Sequence, residues 1–302
     1  MLHDCIIIGG GPAGLNAALL LGRARRSVLV LDGDAPRNAV TRQSHGFLTR
    51  DGVTPGQFRD IARAEVARYP SVEQRKAEVT NVRPTGAAGF VVITADGSRF
   101  EARKVLLATG LKESLPAIPG LREHYGSSLF NCPYCDGWEL RDLPLVIVSA
   151  GEQLFHMAKL VYNWSRDLLV CANGTPGLTA EQRSALERKG IAVQLQPIQA
   201  FAGAEGQLQR VVFADGTHSE RRGGFVTPLW LPASPFGREL GCELDVMGGI
   251  VTDGFGRTSV PGVFAAGDAS VFAPSQLVIA AAAGGRAAIG INGQLTEESF
   301  FA

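Results

Sequence analysis

The chain has 302 residues, of which 45% are hydrophobic and 19% charged, so it is long enough for a large core and favours two domains. The formal net charge at pH 7 is zero, which argues against a nucleic-acid partner or an anionic membrane surface. No apolar run reaches the length of a membrane span and no signal-peptide pattern precedes the first strand, so the sequence predicts a cytoplasmic protein.

A β-α-β unit is predicted over residues 4–32. Its first strand, residues 5–8, is fully apolar, which is typical of a strand buried on both faces. The turn that follows reads Gly9, Gly10, Gly11, Pro12, Ala13, Gly14. Its glycines fit the pattern G-x-G-x-x-G, which allows a tight turn, a close approach to a pyrophosphate and a closely packed helix. The second strand ends at Asp32, which could accept hydrogen bonds from a ribose, so the unit predicts a dinucleotide site.

The next stretch is loop-like over residues 33–53, and a helix is predicted from Thr54 to about Tyr69. Polar side chains of this loop, including Asn38 and His45, could line a cofactor, although a solvated loop is the simpler interpretation for His45 alone. Several strands are then predicted, at residues 79–82, 90–95, 99–102 and 104–110. The last of these strands is buried and ends in a turn of small residues, Ala108-Thr109-Gly110.

Two Pro-rich stretches, residues 111–120 and 231–235, are predicted to connect the two domains. Between them, residues 144–172 read as a second β-α-β unit. After them, a strand that ends at Gly267-Asp268 leads into a long Ala-rich helix over residues 276–291. This arrangement of glycine and helix indicates another site for an anion or a polar ligand.

Cys132 and Cys135 stand two residues apart, and Asp136 follows them directly. Such a pair can close and reopen a small disulfide ring, and one of its thiols is typically more acidic than a free cysteine. The remaining cysteines are isolated, so the pair predicts redox chemistry. A structural zinc would need two more ligands at tight spacing, which the sequence lacks, so we predict no metal. A glutaredoxin is disfavoured because the motif lies between two β-α-β units.

Four stretches together resemble the low-molecular-weight thioredoxin reductase family of flavoproteins, namely residues 6–14, 106–110, 132–137 and 250–268. The resemblance extends over nearly the full chain. It implies an α/β protein of two Rossmann-like dinucleotide-binding domains of the three-layer ββα type, the second inserted into the first. The FAD domain would comprise residues 1–113 and 236–302, and the smaller domain, residues 114–235, would carry the redox pair. The resemblance also implies a homodimer.

The same resemblance suggests roles for individual residues. Cys135 would face the flavin, Cys132 would exchange with the substrate disulfide, and Asp136 would be a general acid and base for the thiols. A nearby carboxyl can protonate a leaving thiolate if partial burial raises its pKa. The residues that we assign to FAD are Gly9, Gly11, Pro12, Ala13, Gly14, Asp32, Asn38, His45, Ala108, Thr109, Gly110, Gly267, Asp268 and Gln276.

The sequence departs from the family at its second nucleotide motif. Only Gly151 of the turn at residues 149–154 matches that motif, and Glu152 puts a carboxylate where a pyrophosphate would lie. The basic cluster that reads the 2′-phosphate of NADPH is replaced by residues 171–174, with no basic residue before Arg183. The chain therefore resembles the pyridine-nucleotide-independent branch. Some members of that branch use ferredoxin as donor, others hold a second FAD in the vacated domain, and related dithiol oxidases pass electrons to oxygen.

The sequence thus predicts an FAD-dependent dithiol–disulfide oxidoreductase that acts without NADPH. Its partner would be a thioredoxin-like protein or a small disulfide or dithiol, with ferredoxin as a candidate donor. Three alternatives stay open. They are an NADPH-dependent thioredoxin reductase, a dithiol oxidase that uses oxygen, and a flavin-binding redox sensor that does not turn over.

Overall fold

The computed structural model describes residues 1–86, 89–174 and 177–301. The chain divides into two compact units. The first unit comprises residues 1–39, 46–112 and 230–302, and the second comprises residues 40–45 and 113–229. The second unit is therefore inserted into the first, and it also includes a short segment, residues 40–45, from the loop after the first β-α-β unit.

The elements of the first half of the chain are β1 (Leu2–Ile8), α1 (Pro12–Arg23), β2 (Val28–Asp32), α2 (Pro55–Val66), β3 (Val72–Lys76), β4 (Val79–Thr85), β5 (Gly89–Thr94), β6 (Arg99–Leu107), β7 (Leu111–Ser114), α3 (Leu121–His124), β8 (Leu129–Phe130), α4 (Pro133–Asp136) and β9 (Leu145–Val148). Those of the second half are α5 (Glu152–Val161), β10 (Leu168–Cys171), α6 (Ala180–Glu187), β11 (Ala192–Gln194), β12 (Ile198–Ala204), β13 (Gln207–Phe213), β14 (His218–Glu220), β15 (Gly223–Val226), β16 (Leu229–Pro232), α7 (Phe236–Glu239), β17 (Val263–Ala265) and α8 (Leu277–Phe300). Two 3-10 turns cover Arg37–Val40 and Gly267–Ala269.

The first unit is built on a sheet with the strand order β3-β2-β1-β6-β5-β4, in which β17 also pairs with β6. Strands β1, β2, β3, β6 and β17 run parallel, and β4 and β5 join them as antiparallel strands. Successive side chains of β1 point to opposite faces, as a strand requires. Ile7 packs with the apolar faces of α1 and α8, and Ile6 packs with β4 and β5. The sheet is thus covered on both faces.

The structure corrects the prediction of two separate strands at residues 99–102 and 104–110. Residues 99–107 form the single strand β6, which pairs with β5 in its first half and with β1 over most of its length. The sequence suggested a break because Arg103 and Lys104 interrupt the apolar pattern. Both side chains instead form ion pairs with Glu298 of α8, Lys104 at 2.5 Å, so the strand continues through them.

Helix α8 is longer than the predicted helix over residues 276–291. Its polar last turns are held against the first unit, where the Arg26 guanidinium donates hydrogen bonds to Asn292 Oδ1 and Thr296 Oγ1, both at 2.8 Å. The prediction stopped early because these polar residues lack an apolar repeat. Helix α2, in contrast, ends at Val66 rather than near Tyr69, and Thr54 caps its N-terminus by accepting from the Gln57 amide.

The second unit has three layers. Its central sheet is parallel, with the order β11-β10-β9-β15-β8. Helices α5 and α6 pack on one face through residues such as Leu154 and Leu186. An antiparallel sheet, β12-β13-β14, covers the other face through Phe201 and Val211. This is the ββα architecture predicted for a dinucleotide-binding domain, and the mixed α/β fold class is confirmed.

Strands β7 and β16 pair with each other and contain the points at which the chain passes from one unit to the other. None of the described helices is both long enough and apolar enough to cross a bilayer.

The close contact between α1 and α8 predicts which glycines of α8 are essential for the stability of the first unit. A Cβ atom at Gly284 would lie 2.0 Å from the Ala13 carbonyl oxygen, whereas a Cβ at Gly293 of the same helix would meet nothing within 4 Å. We expect Gly284→Ala to destabilise the first unit by on the order of 1–3 kcal/mol or more, because backbone atoms must move apart. We expect the matched control Gly293→Ala to be neutral, or stabilising by about 0.5–1 kcal/mol. Urea unfolding of both variants checks this, and equal effects would contradict it.

A buried histidine predicts pH-dependent stability of the second unit. His124 is 4% exposed, neither ring nitrogen has a hydrogen-bond partner among the described residues, and burial lowers its pKa. At His124 the unfolded chain then binds more protons than the folded one, so the His124 contribution to the free energy of unfolding falls as pH drops below about 6.5. Asp136, whose pKa is raised, contributes with the opposite sign in all the proteins compared. We expect His124→Leu to weaken this pH dependence in urea unfolding. His218→Leu, on exposed β14, should leave it unchanged. His3, whose pKa is also lowered by burial, leaves a residual slope in both.

Candidate active site

The turn between β1 and α1 is fixed by close backbone contacts. Gly9 has φ of +110°, and a Cβ atom there would lie 2.3 Å from the Ala108 carbonyl oxygen. A Cβ at Gly14 would lie 1.9 Å from the Gly9 carbonyl oxygen. Neither position can accept a side chain without moving the backbone. The turn therefore holds the end of β1, the end of β6 and the start of α1 together.

Gly11 differs from its neighbours because its missing side chain faces open space. A Cβ atom there would meet nothing within 4 Å. Gly11 also precedes Pro12, the first residue of α1, and no side chain caps this helix N-terminus and no acidic residue lies in its first turn. Free N–H groups and the positive end of the helix dipole thus face this space. These features fit the pyrophosphate of a dinucleotide.

Asp32 stands at the end of β2, next to the glycine turn. A Cβ atom at Gly10 would lie 2.4 Å from Asp32 Oδ2, so this glycine makes room for the carboxylate. The Arg63 guanidinium donates to Asp32 Oδ2 at 2.7 Å, and the Asp34 amide donates to Oδ1 at 3.1 Å. Each carboxylate oxygen has a second lone pair, so Asp32 can also accept from a ribose hydroxyl.

Asp34 belongs to a basic cluster that the sequence analysis did not identify. Its carboxylate accepts from Arg59 at 2.6 Å, from Lys76 at 2.8 Å and from Arg63 at 3.3 Å. These hydrogen bonds, from Lys76 first and then from the two arginines, lower the pKa of Asp34. The cations come from α2 and β3, so only the folded chain reveals the cluster.

The assigned residues near the C-terminus reach the same turn. A Cβ atom at Gly267, where φ is +69°, would lie 2.8 Å from the Ala13 Cβ. Asp268 accepts from Arg37 at 3.0 Å and from the Ser275 hydroxyl at 2.5 Å. Gln276 is the N-cap residue of α8. Arg37 and Ser275 were missed in the sequence because neither belongs to a motif.

The remaining assigned residues fall into two groups. The turn after β6 brings Ala108 against Gly9, while Thr109 and Gly110 line a cavity of about 270 Å³ in the first unit, with the Ser234 hydroxyl donating to Thr109 Oγ1 at 3.0 Å. Asn38 lies in the 3-10 turn next to Arg37. His45 belongs to the second unit, where its Nε2 lies 3.5 Å from Glu139 Oε1.

The redox pair forms a short turn in the second unit. Cys132 and Cys135 are joined as a disulfide with an S–S distance of 2.11 Å, at the start of α4. Glu113 holds the residue before the pair, because its carboxylate accepts from Asn131 Nδ2 at 2.5 Å and from the Tyr125 hydroxyl at 2.6 Å. Both sulfurs belong to partly exposed residues, so the turn is accessible and firmly anchored.

Aromatic rings surround this turn. A Cβ atom at Gly137 would lie 2.9 Å from the Trp164 ring and 2.4 Å from the Pro133 carbonyl oxygen, so only glycine lets the indole pack here. The Tyr134 ring meets Trp164 edge-on at 5.5 Å between centroids. Tyr134 and Trp138 are 65% and 66% exposed, so the surface beside the disulfide is largely aromatic.

Asp136 has the acidity expected of an acid and base for thiols. Burial, and then the negative charge of Glu139, raise the pKa of its carboxyl to about 7, against a smaller opposing effect of His45. Burial also raises the pKa of the isolated cysteines, of Cys171 to about 12, so these thiols stay protonated at neutral pH.

The second β-α turn differs from the first in its charge. Gly151 is the N-cap residue of α5, and the first helical residue is Glu152. The Ser149 hydroxyl is buried and has no hydrogen-bond partner among the described residues. After β10, the Asn173 side-chain oxygen accepts a hydrogen bond from the Ile198 amide at 2.8 Å and so holds this loop against the start of β12. Thr175 and Pro176 lie outside the described residues.

The family follows from a comparison with known proteins. The family model described as pyridine nucleotide-disulphide oxidoreductase matches residues 3–284 of the chain. The chain belongs to this family. FAD is the cofactor expected of the family, and the glycine turn, the α1 N-terminus and Asp32 fit it. The protein is an FAD-dependent disulfide oxidoreductase of the thioredoxin reductase type.

Individual relatives agree with the family assignment. Thioredoxin reductase aclD of Aspergillus oryzae is 32% identical, over 97% of this chain and 96% of its own length. The crystal structure of TrxB from Bacillus anthracis has a TM-score of 0.95 at 46% identity, covering 98% of this chain and 99% of that one. The crystal structure of HlmI has a TM-score of 0.94 at 37% identity, covering 99% of this chain and 94% of that one.

Because a side chain at Gly11 would point into open space, we expect a substitution there to weaken FAD binding without lowering the stability of the fold. We expect Gly11→Ala to weaken FAD binding by about tenfold or more, because a methyl group pressed against the pyrophosphate costs on the order of 1–3 kcal/mol. The flavin-free protein should keep its thermal unfolding temperature, since the methyl group meets no protein atom. The control Gly254→Ala, also with open space, should keep normal flavin content. A loss of stability in Gly11→Ala without a loss of flavin would contradict this assignment.

Proposed function

We propose that this oxidoreductase exchanges electrons between FAD and a substrate disulfide or dithiol through Cys132 and Cys135, without NADPH. The observation that carries the proposal is the anchored disulfide next to a carboxyl whose pKa lies at about 7. A carboxyl of that acidity can both give and take a proton at neutral pH, which thiol chemistry requires.

The roles of the three residues follow from thiol–disulfide exchange. In the reducing direction, the Cys132 thiolate attacks the substrate disulfide, forms a mixed disulfide and releases one substrate sulfur as thiolate. Asp136 takes the proton of Cys135, and the resulting thiolate attacks Cys132, which closes the Cys132–Cys135 disulfide and releases the second substrate sulfur. Asp136 returns this proton to one leaving thiolate, and the other takes from water the proton that Cys132 had released, so substrate gains two electrons and two protons in all. FAD, when bound, supplies the two-electron donor or acceptor that resets the pair.

FAD is proposed to bind at the first unit through those assigned residues that belong to this unit. Gly9 and Gly14 give the turn its shape, and Gly11 with the amides of α1 faces the pyrophosphate. Asp32 would bind the adenosine ribose, while Asp268, oriented by Arg37 and Ser275, would bind the ribityl chain or the pyrophosphate. Gln276 would lie near the isoalloxazine ring.

Independence from NADPH is supported by the second unit. Glu152 places a negative charge in the first turn of α5, where a pyrophosphate would need positive potential. Residues 172–174 after β10 include no cation that could bind a 2′-phosphate. A homodimer, ferredoxin as donor and a second FAD in this unit stay part of the proposal on the family resemblance alone.

Anaerobic reduction of the yellow protein tests the donor. We expect a dithiol to bleach the flavin absorbance, and NADPH and NADH to leave it unchanged at the same concentration. Fast bleaching by either nucleotide would overturn the NADPH-independent assignment and restore a conventional thioredoxin reductase. Reduced ferredoxin is tested in parallel, and admission of air to the dithiol-reduced protein shows whether oxygen accepts the electrons.

Cysteine variants test the redox pair in the same assay. Cys135→Ser should abolish reduction of the flavin by a dithiol, whereas the control Cys171→Ser, which removes a buried thiol, should leave it intact. Steady-state turnover of a model disulfide with an artificial donor separates an enzyme from a redox sensor. A Cys135→Ser protein that still turned over a disulfide would refute the role of the pair.

A further inference from the structure

Two titratable side chains of the second unit, Glu139 and His45, act electrostatically on Asp136 and have no part in the mechanism above. The Leu140 amide donates to the Asp136 carbonyl oxygen at 3.3 Å, so the chain continues as a helical turn after α4. This turn puts Glu139 three residues after Asp136, on the same side. The Glu139 carboxylate then lies 3.5 Å from Nε2 of His45.

His45 comes from a distant part of the sequence, but it is fixed to the second unit. It ends segment 40–45, which belongs to this unit and not to the flanking first unit. The segment packs closely, because a Cβ atom at Gly126 would lie 2.2 Å from the Val40 carbonyl oxygen. The side chains of His45 and Glu139 are 18% and 39% exposed, so the pair connects half-buried Asp136 with solvent.

The two side chains act on Asp136 with opposite sign. The carboxylate of Glu139 disfavours a second negative charge nearby and raises the pKa of Asp136, whereas a proton on His45 favours the ionised carboxyl and lowers it. Cys132 and Cys135 are uncharged as a disulfide, and Trp164 carries no charge. Arg141 is directed elsewhere, because its guanidinium lies 4.1 Å from the Trp138 ring centroid.

We propose that Glu139 and His45 are a positioning pair that sets the pH range in which Asp136 exchanges protons with the thiols of Cys132 and Cys135. The proposal rests on the function proposed for this redox pair. Neither residue touches the reacting sulfur atoms. They act through Asp136, and because their effects oppose each other, each can be removed separately with a distinct result.

The test is the pH dependence of thiol reactivity in the reduced holoprotein. Alkylation of Cys132 and Cys135 by iodoacetamide is followed by mass spectrometry across neutral pH, together with the rate of exchange with a dithiol. We expect Glu139→Gln to move the Asp136 titration to lower pH and His45→Gln to move it to higher pH, each by roughly half to one pH unit. Asp136→Asn should remove this titration in every background, which identifies the titrating group.

The exposed strand β14 provides matched controls in the same unit. Glu220→Gln and His218→Gln repeat the two chemical changes away from the redox pair and should leave both profiles unchanged. Shifts of Glu139→Gln and His45→Gln in the same direction, or no shift in either, would overturn the inference. Alkylation does not depend on turnover, so a protein that alkylates as expected but never exchanges with a dithiol would refute the proposed function instead.

Discussion

Close backbone packing around Ala13 is the constraint on which the first unit depends. Gly14 approaches the Gly9 carbonyl, Gly9 approaches Ala108, and Gly267 and Gly284 approach Ala13 from the C-terminal part of the chain. Side chains at these positions would push β1, β6, α1 and α8 apart. The space at Gly11 stays open beside this tight packing, so the turn that holds the unit together also has the shape that a phosphate would fit.

The second unit repeats the architecture but not the electrostatics. Both units present a buried parallel strand, a turn with a glycine at positive φ and a helix. At α1 the helix N-terminus has no acidic residue, whereas α5 begins with Glu152. One carboxylate at this position opposes the helix dipole that would attract a phosphate. The core of this unit depends on apolar packing and not on the turn, so the fold is compatible with either charge at the helix N-terminus.

The turn that carries Cys132 and Cys135 is firmly anchored, and nearby titratable groups set the pKa of its carboxyl. Glu113 and Trp164 fix the backbone around Cys132 and Cys135, and burial makes Asp136 a weak acid. Glu139 and His45 then oppose each other at the solvent side. A carboxyl poised in this way can serve thiols in either direction of electron flow, since it is neither fully ionised nor fully protonated at neutral pH.

The sequence by itself determined the fold class, the inserted second unit, the redox pair and the glycine turn, because each depends on local patterns of apolar residues, glycine and cysteine. It did not predict β3, four of whose five residues are polar. It also missed the continuity of β6 and the full length of α8, since Arg103, Lys104 and Glu298 interrupt the apolar pattern and form ion pairs only in the folded chain. Only the tertiary structure placed Arg37 and Ser275 on Asp268 and grouped Arg59, Arg63 and Lys76 around Asp34. It also placed His45 in the second unit, beside Glu139. Contacts between charges distant in sequence leave no periodic signal, so they become visible only when the backbone brings the residues together.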